Sequence, residues 1–411
     1  MTVDEAERAG GGDGASDRAP GGIPFSAASH APARPGERLI VGAMSGTSAD
    51  GVDVALCAIG GRGLAMRCRL IGFHHEPYEP GVRSAVFGMR QSGSVELRAL
   101  AELGRAASLS YGRAVRAVLG SAGVAAAHVA AVAAHGQTLY HAPPCTIQWL
   151  DPALLAAETG VPVVSDFRRA DCAAGGQGAP LVPFADHVLF RHPTRTRALL
   201  NVGGIANVTH LPAGEGAGAL GRVVAFDTGP GNCVTDHLMR LYDPGGPGYD
   251  AGGALAAKGR SVDQLIGLML ADPYFVAPWP KSTDGPAMID VFARAYASLG
   301  RKLPLEDLLK AACLLTATTV ADAIRRLDPF PDELIVSGGG VRNDTIMSLI
   351  RQPLGDVPVL RTDDLGVPAE AKEAIAFALL GAATLDGEPS NVPAATGAKR
   401  AVVLGSVTPR P

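Results

Sequence analysis

The sequence predicts an α/β protein built from two lobes of similar topology. Three observations predict it. A strand–turn–strand pattern with a glycine-containing tip occupies residues 38–59 and returns about 160 residues later at 198–211, and a repeated supersecondary unit signals duplication. Strands hand over to helices through small-residue turns, as at 223–232 and 333–343, where open α/β sheets keep their sites. The chain has 411 residues, 47% of them apolar, enough for two domains or one large two-lobed unit.

Composition narrows the function classes. A net charge of -4 argues against a nucleic-acid surface, which shows as a basic excess. The six cysteines lack metal-type spacing and read as reduced, structural thiols; no metal-ligand set is assigned. The acidic start Met1–Glu7 has no apolar core of a signal peptide, and the apolar run 374–385 is too short to span a bilayer. A cytoplasmic enzyme or binding protein, with no nucleic-acid or membrane partner, is expected.

In chain order, residues 1–37 are Gly-, Ala-, Pro- and Ser-rich and read as a disordered leader. Strands at 38–44 and 52–59 flank a hydroxyl- and glycine-rich tip, Ser45–Gly51. Such a tip offers N–H groups and hydroxyls to phosphate, or is simply a flexible hairpin. No Walker or dinucleotide-binding glycine motif is present. Residues 94–120 carry leucines and valines near helical spacing. A buried strand at 129–134 delivers His135-Gly136-Gln137-Thr138, a candidate ligand contact; His74, His75 and His192 read as partnerless loop histidines.

A helix at 152–159 stops at Gly160, and a short strand, 161–165, runs into Asp166-Phe167-Arg168-Arg169-Ala170-Asp171. Arginine forks suit carboxylate or phosphate oxygens, whereas a surface ion-pair network contributes little. The second hairpin spans 198–211. A strand at 223–226 then feeds Asp227, followed by Thr228-Gly229-Pro230-Gly231-Asn232 and a helix start. Asp227 reads equally as a turn cap or as a group presented to a ligand. Lys281 is a loop lysine, solvated or on phosphate. A helix covers 305–327, a strand 333–337 ends in three glycines that permit close approach to a ligand, a helix covers 369–385, and a strand is expected at 401–404.

Together these stretches resemble the anhydro-N-acetylmuramic acid kinases, within the superfamily of sugar kinases, Hsp70 and actin. The resemblance is carried in order by Met44–Asp53, His135–Thr138, Asp166–Arg169, Gly175–Pro183, Asn201–Asn207, Phe226–Asn232, Pro280–Thr283, and Gly338–Gly340 with Asn343. It implies two ribonuclease-H-like lobes with ATP and Mg²⁺ in the cleft between them. Lobe I would span 38–196 and lobe II 197–370, with a C-terminal segment, 371–411, whose helix returns toward lobe I.

By the resemblance, Gly46, Thr47, Ser48, Ala49, Asp50, Gly51, Val52 and Asp53 form the first phosphate hairpin. Gly203 and Gly204 tip the second, and Gly338, Gly339, Gly340 and Asn343 lie on the adenosine side. Asp227 aligns with the catalytic aspartate. Arg168 and Arg169 would hold the lactyl carboxylate of a muramic sugar; His135, Gln137, Asp166 and Glu373 would face the sugar, and Gly229 and Asn232 would turn the chain so that Asp227 reaches it. Two stretches depart from the family pattern: Asp284-Gly285-Pro286, where Gly-Arg-Glu is usual, and Trp149-Leu150 before Asp151-Pro152. The implied reaction is hydrolytic opening of the 1,6-anhydro bond with phosphorylation of O6 by ATP, with a homodimer admitted. Another sugar kinase of the superfamily, or a catalytically silent nucleotide-binding regulator, stands as the alternative.

Overall fold

The computed structural model describes residues 33–46, 48–92, 94–279 and 281–411; residues 1–32 of the expected leader, Thr47 of the first hairpin tip and Pro280 lie outside them. The strands are β1 Glu37–Ser45, β2 Gly51–Gly60, β3 Arg67–Pro77, β4 Val129–Ala142, β5 Cys145–Trp149, β6 Val163–Ser165, β7 Arg197–Val202, β8 Ile205–Leu211, β9 Val224–Pro230, β10 Glu333–Ser337, β11 Val359–Arg361 and β12 Ser406–Thr408.

They form two sheets. One runs β12-β6-β4-β1-β2-β3, with β5 added to β4; the other runs β11-β10-β7-β8-β9. The duplication is visible in pairing as well as order. β1-β2-β3 and β7-β8-β9 are antiparallel meanders. On the other side of the first strand, β4 and β6 add in parallel, as do β10 and β11. Each lobe is thus the ribonuclease-H-like order, and in each the first hairpin tip joins the first two strands.

Two helices, Val182–Phe190 and Lys372–Asp386, form the layer between the sheets. Their apolar faces share one core with Ile40, Ala55 and Ala133 of the first sheet and Leu199, Ala225 and Ile335 of the second. The second helix lies directly on β1: a Cβ on Gly42 would fall 1.8 Å from the Ala374 carbonyl oxygen. Only glycine permits that approach. A buried ion pair, Lys372 Nζ to Asp186 at 3.0 Å, joins the two central helices. The outer faces are closed by helices whose apolar residues recur at helical spacing. Leu103, Ala107, Tyr111, Ala114 and Val118 of Leu97–Ser121 cover the first sheet, and Leu305–Arg325 covers the second. Among the described residues, no helix is long and apolar enough to cross a membrane, and all six cysteines are unpaired.

Several local readings change. His74 and His75 sit on β3, and each has a carboxylate partner: Glu76 at 3.2 Å and Asp53 at 2.7 Å. His192 is buried and accepts from the Thr194 and Arg195 amides. Asp166–Asp171 does not extend a strand but enters the helix Phe167–Ala173. β4 runs through His135–Thr138 instead of stopping before them. The C-terminal strand is Ser406–Thr408, not 401–404. The two departures are absorbed by packing. Trp149 Nε1 donates to the Leu100 carbonyl at 2.7 Å, while Asp284 caps the helix Gly285–Ser298 by accepting from Ala287 N at 2.9 Å.

Candidate functional site

Asp227 lies within β9, not at its end, because the strand continues through Pro230. β9 is the outer strand of its sheet. Opposite β8 the register slips so that Ala206 faces Gly229 and Asn207 faces Asp227, leaving Thr228 as the extra residue. Such a bulge re-aims the side chains beside it. Thr228 is fixed by donating from Oγ1 to the Ala206 carbonyl at 3.1 Å.

The open edge of β9 is covered by chain from outside the sheet. Asp227 N donates to the Lys281 carbonyl at 3.0 Å, its carbonyl accepts from the Tyr274 hydroxyl at 2.8 Å, and its Oδ2 accepts from Thr283 N at 2.9 Å. Oδ1 has no protein partner among the described residues. Burial raises the carboxyl to about 6, against the opposing pull of the Thr283 N–H. One oxygen held and one free, with a proton affinity near neutrality, suits a proton acceptor.

The turn after β9 docks onto the second hairpin tip. Gly231 N and Cys233 N donate to the Gly204 carbonyl at 2.9 and 3.0 Å, and Asn232 N donates to Gly203 at 2.8 Å. Asn232 Nδ2 reaches the Val202 carbonyl at 3.5 Å. Gly229 packs against Phe275 and Thr319, which a Cβ would meet at 2.9 and 3.2 Å. The glycines after β10 close over the same hairpin. Gly338 has φ 85°, and a Cβ there would fall 2.5 Å from Asn201 Oδ1. Gly339 and Gly340 open a short 3-10 turn, and Asn343 caps the helix Asp344–Arg351 by accepting from Ile346 N at 3.0 Å. The structure therefore brings Gly203, Gly204, Asn232 and Gly338–Gly340 together.

A second group gathers around the first hairpin. Ala49 N donates to the Gly46 carbonyl at 3.3 Å, Ser48 Oγ donates to Asp50 Oδ1 at 2.9 Å, and Gly51, Val52 and Asp53 open β2. Gln137 is a bracket for this tip: its Oε1 accepts from Ser45 Oγ at 2.8 Å and its Nε2 donates to the Gly46 carbonyl at 3.2 Å. It is fully buried.

Arg168 Nε donates to His135 Nε2 at 2.9 Å, so the imidazole proton sits on Nδ1, which donates to the Gly136 carbonyl at 2.9 Å. Burial, with Arg168 beside it, keeps His135 neutral. Arg168 also donates Nη1 to Gly178 O at 2.8 Å, and Nη2 has no protein acceptor among the described residues. Burial pulls its guanidinium down to about 10, and Glu373 opposes this. Arg169 is exposed and pairs with Asp166 at 2.7 Å, so the two arginines do not form one fork.

Glu373 is solvent-exposed at the start of Lys372–Asp386, yet its carboxyl is raised chiefly by surrounding protein, with Asp53 adding to the rise. Asp53 is raised by burial and by neighbouring Asp50 and Glu370. No hydrogen bond or ion pair among the described residues joins this group to the one around Asp227.

Sequence reasoning missed Tyr274, whose hydroxyl grips the Asp227 backbone, and gave Lys281 a loop or phosphate role. Nothing local marks Tyr274; Lys281-Ser282-Thr283 stood in the quoted motif, but its contact to Asp227 is through backbone, which no residue type announces.

Paired ribonuclease-H-like sheets, each with a small-residue hairpin tip, define the chain as a two-lobed α/β protein. Comparison with known proteins then narrows it. The family model described as anhydro-N-acetylmuramic acid kinase matches residues 38–410. The chain is 37% identical over 390 residues to the anhydro-N-acetylmuramic acid kinase of Caldanaerobacter subterraneus subsp. tengcongensis, covering 90% of this chain and 97% of that one. It is 41% identical over 393 residues to the protein of the same name from Salinibacter ruber, covering 91% and 97%. The chain belongs to the anhydro-N-acetylmuramic acid kinase family. Among solved structures, a ROK family glucokinase from Streptomyces griseus in complex with glucose and AMPPNP aligns at 14% identity and a TM-score of 0.34 over 84% of this chain and 98% of its own, too distant to bear on the site.

Proposed function

We propose that the chain opens 1,6-anhydro-N-acetylmuramic acid with water and phosphorylates O6 from ATP, giving N-acetylmuramate 6-phosphate and ADP. Family membership selects the substrate. The observation that carries the chemistry is Asp227, with Oδ2 tied to Thr283 N and Oδ1 free.

Asp227 Oδ1 takes a proton from water as the water oxygen bonds to C1 of the sugar. The C1–O6 bond breaks, its electron pair leaving on O6. O6 then bonds to the γ-phosphorus, and the bond to the ADP oxygen breaks. The proton on Asp227 passes to solvent when products leave. General-base help of this kind contributes about 10²–10⁴-fold; the remainder comes from holding water, sugar and phosphate in line.

The first hairpin, Gly46–Asp53, and the second, at Gly203 and Gly204, take the phosphates. Gly338–Gly340, packed on Asn201 and Val202, border the adenosine side. No three acidic, His or Cys side chains are grouped as direct metal ligands among the described residues. Asp53, raised chiefly by burial and further by neighbouring Asp50, and Asp50 itself fit the one or two carboxylates that a largely hydrated Mg²⁺ needs. Bound there, Mg²⁺ supplies neutralisation of phosphate charge. Arg168 Nη2 supplies a donor for the lactyl carboxylate and Glu373 an acceptor for a sugar hydroxyl. Lobe I spans 38–196 and lobe II 197–370, and 371–411 returns to lobe I.

Incubation with MgATP and either the anhydro sugar or a panel of free hexoses and amino sugars tests the substrate. A 6-phosphorylated muramate from the anhydro sugar alone is expected. Equal or faster phosphorylation of a free hexose would assign the chain to ordinary sugar kinases.

A further inference from the structure

Lys281 carries a side chain that the proposed reaction does not use. Its Nζ donates to the Tyr274 carbonyl at 2.8 Å and to the Phe275 carbonyl at 3.3 Å, and lies 4.4 Å from the centre of the Tyr274 ring. This is a cation on an aromatic face that also closes a loop through hydrogen bonds. The loop so closed holds Asp227 at three points: Lys281 O on its N–H, the Tyr274 hydroxyl on its carbonyl, and Thr283 N on Oδ2. All three lie on the open edge of β9, where the sheet itself offers no partner. Trp279 in the same loop stacks on Phe226 with ring centres 4.2 Å apart, sealing the strand from the other side.

We propose that Lys281 is a positioning residue for Asp227: by clamping Tyr274 against the chain at Lys281–Thr283, it holds that loop on the edge of β9, so that one carboxylate oxygen is tied and the other faces the attacking water. This rests on the reading of Asp227 as general base. Two of the three ammonium donors are engaged by the Tyr274 and Phe275 carbonyls.

The groups around Asp227 make the test readable. No charged side chain perturbs its carboxyl; burial raises it and the Thr283 N–H lowers it. Tyr274 is the titratable group that feels Asp227. Lys281 lines a small cavity beside β9 with Asp322 of the neighbouring helix and Arg326 just past its end, and Arg326 is the charge it feels. Releasing the loop therefore does two opposed things to Asp227. It removes the Thr283 N–H, and it admits water. Burial is the larger cause, so hydration wins and the carboxyl falls toward its ordinary range.

The experiment uses the full chain with MgATP and 1,6-anhydro-N-acetylmuramate, and compares Lys281→Met, Lys281→Arg and Tyr274→Phe. For Lys281→Met, kcat is expected to fall tenfold or more, as sub-ångström misplacement of a reacting group allows. ATP affinity stays within twofold, and the acidic limb of kcat/KM moves from about 6 toward 4. Tyr274→Phe, which deletes one hydroxyl and leaves the ring, moves the limb the same way by a smaller step. Lys281→Arg restores most of kcat. A Lys281→Met protein with kcat within twofold and an unmoved limb overturns the proposal, and so does a tenfold loss of ATP affinity with an unmoved limb, which would make Lys281 a phosphate ligand. Asp227→Asn separates the two layers: if it stays active, the base reading itself has failed, whereas an inactive Asp227→Asn beside an unaffected Lys281→Met removes only the clamp.

Discussion

Replacing Asp227 by Asn trades a carboxylate that the fold holds at a cost for a neutral amide of the same shape. Burial lifts the native carboxyl from an ordinary 3.8 to about 6. Below about pH 3.8 both folded and unfolded states hold the proton and the group is neutral to stability. Between about 3.8 and 6 the unfolded state has ionised while the native state still holds the proton, so the penalty grows as pH rises; above about 6 it is complete. The full difference is about 3 kcal/mol, an upper bound because Oδ1 reaches solvent; about 1–2 kcal/mol is expected after screening. Asn keeps an oxygen for the Thr283 N–H, so the loop contact survives. The variant should melt several degrees higher than the parent at pH 8, at about 2–4 °C per kcal/mol for domains of 150–250 residues. That advantage should vanish toward pH 4. Over the same range turnover should fall about 10²–10⁴-fold. Thermal melts at pH 4, 6 and 8 beside a product assay read both. A variant that melts lower at pH 8, or keeps more than about a tenth of parent turnover, refutes the assignment of a buried, strained base.

Other outcomes follow from the same geometry. The parent's kcat/KM for the sugar should fall about tenfold per pH unit below about 6, as Asp227 gains its proton; a flat profile down to pH 5 contradicts it. Gly42→Val should cost about 1–3 kcal/mol or more in chemical denaturation, since its Cβ lands on the central helix at Ala374. Lys372→Met, which strands buried Asp186, should cost about 3–5 kcal/mol, and adding Asp186→Leu should recover much of it. Asp171→Ala removes an acceptor shared by Gly178 N, Asn391 Nδ2 and Thr396 Oγ1, each at 2.7 Å. It should render the chain near residues 389–400 sensitive to limited proteolysis while the rest stays resistant.

The fold was legible where the sequence repeats a pattern. Both hairpins, with their glycine-bearing tips, could be read from β-branched runs around small residues, and their duplication gave the two lobes. The helix Pro152–Thr159 was readable to the residue because Asp151 caps it and Gly160, in the left-handed region, ends it. β3 and the central helix Val182–Phe190 were not. β3 mixes charged and histidine residues on an outer strand of its sheet, and Val182–Phe190 is buried on every side, Asp186 and His187 included, because it lies between the two sheets, so neither shows the period of its element.

At the site, the carboxylate and the glycine loops were legible by residue type. The contacts that hold Asp227 were not, because two of the three involve only backbone from Lys281 and Thr283, and the third comes from Tyr274, about fifty residues away in a stretch without motif. Gln137 shows the converse: it stands out in sequence as part of a polar quartet after a buried stretch, while the bonds of its amide to the neighbouring hairpin, about ninety residues away, are visible only in the fold.

The central claim is that water opens the sugar ring bridge and O6 receives the phosphate. Turnover of 1,6-anhydro-N-acetylmuramate with MgATP in ¹⁸O-water tests it most directly. The account predicts one ¹⁸O at C1 of a 6-phosphorylated product and none in the phosphate. A 6-phosphorylated product without label at C1, or label carried into the phosphate, would contradict it.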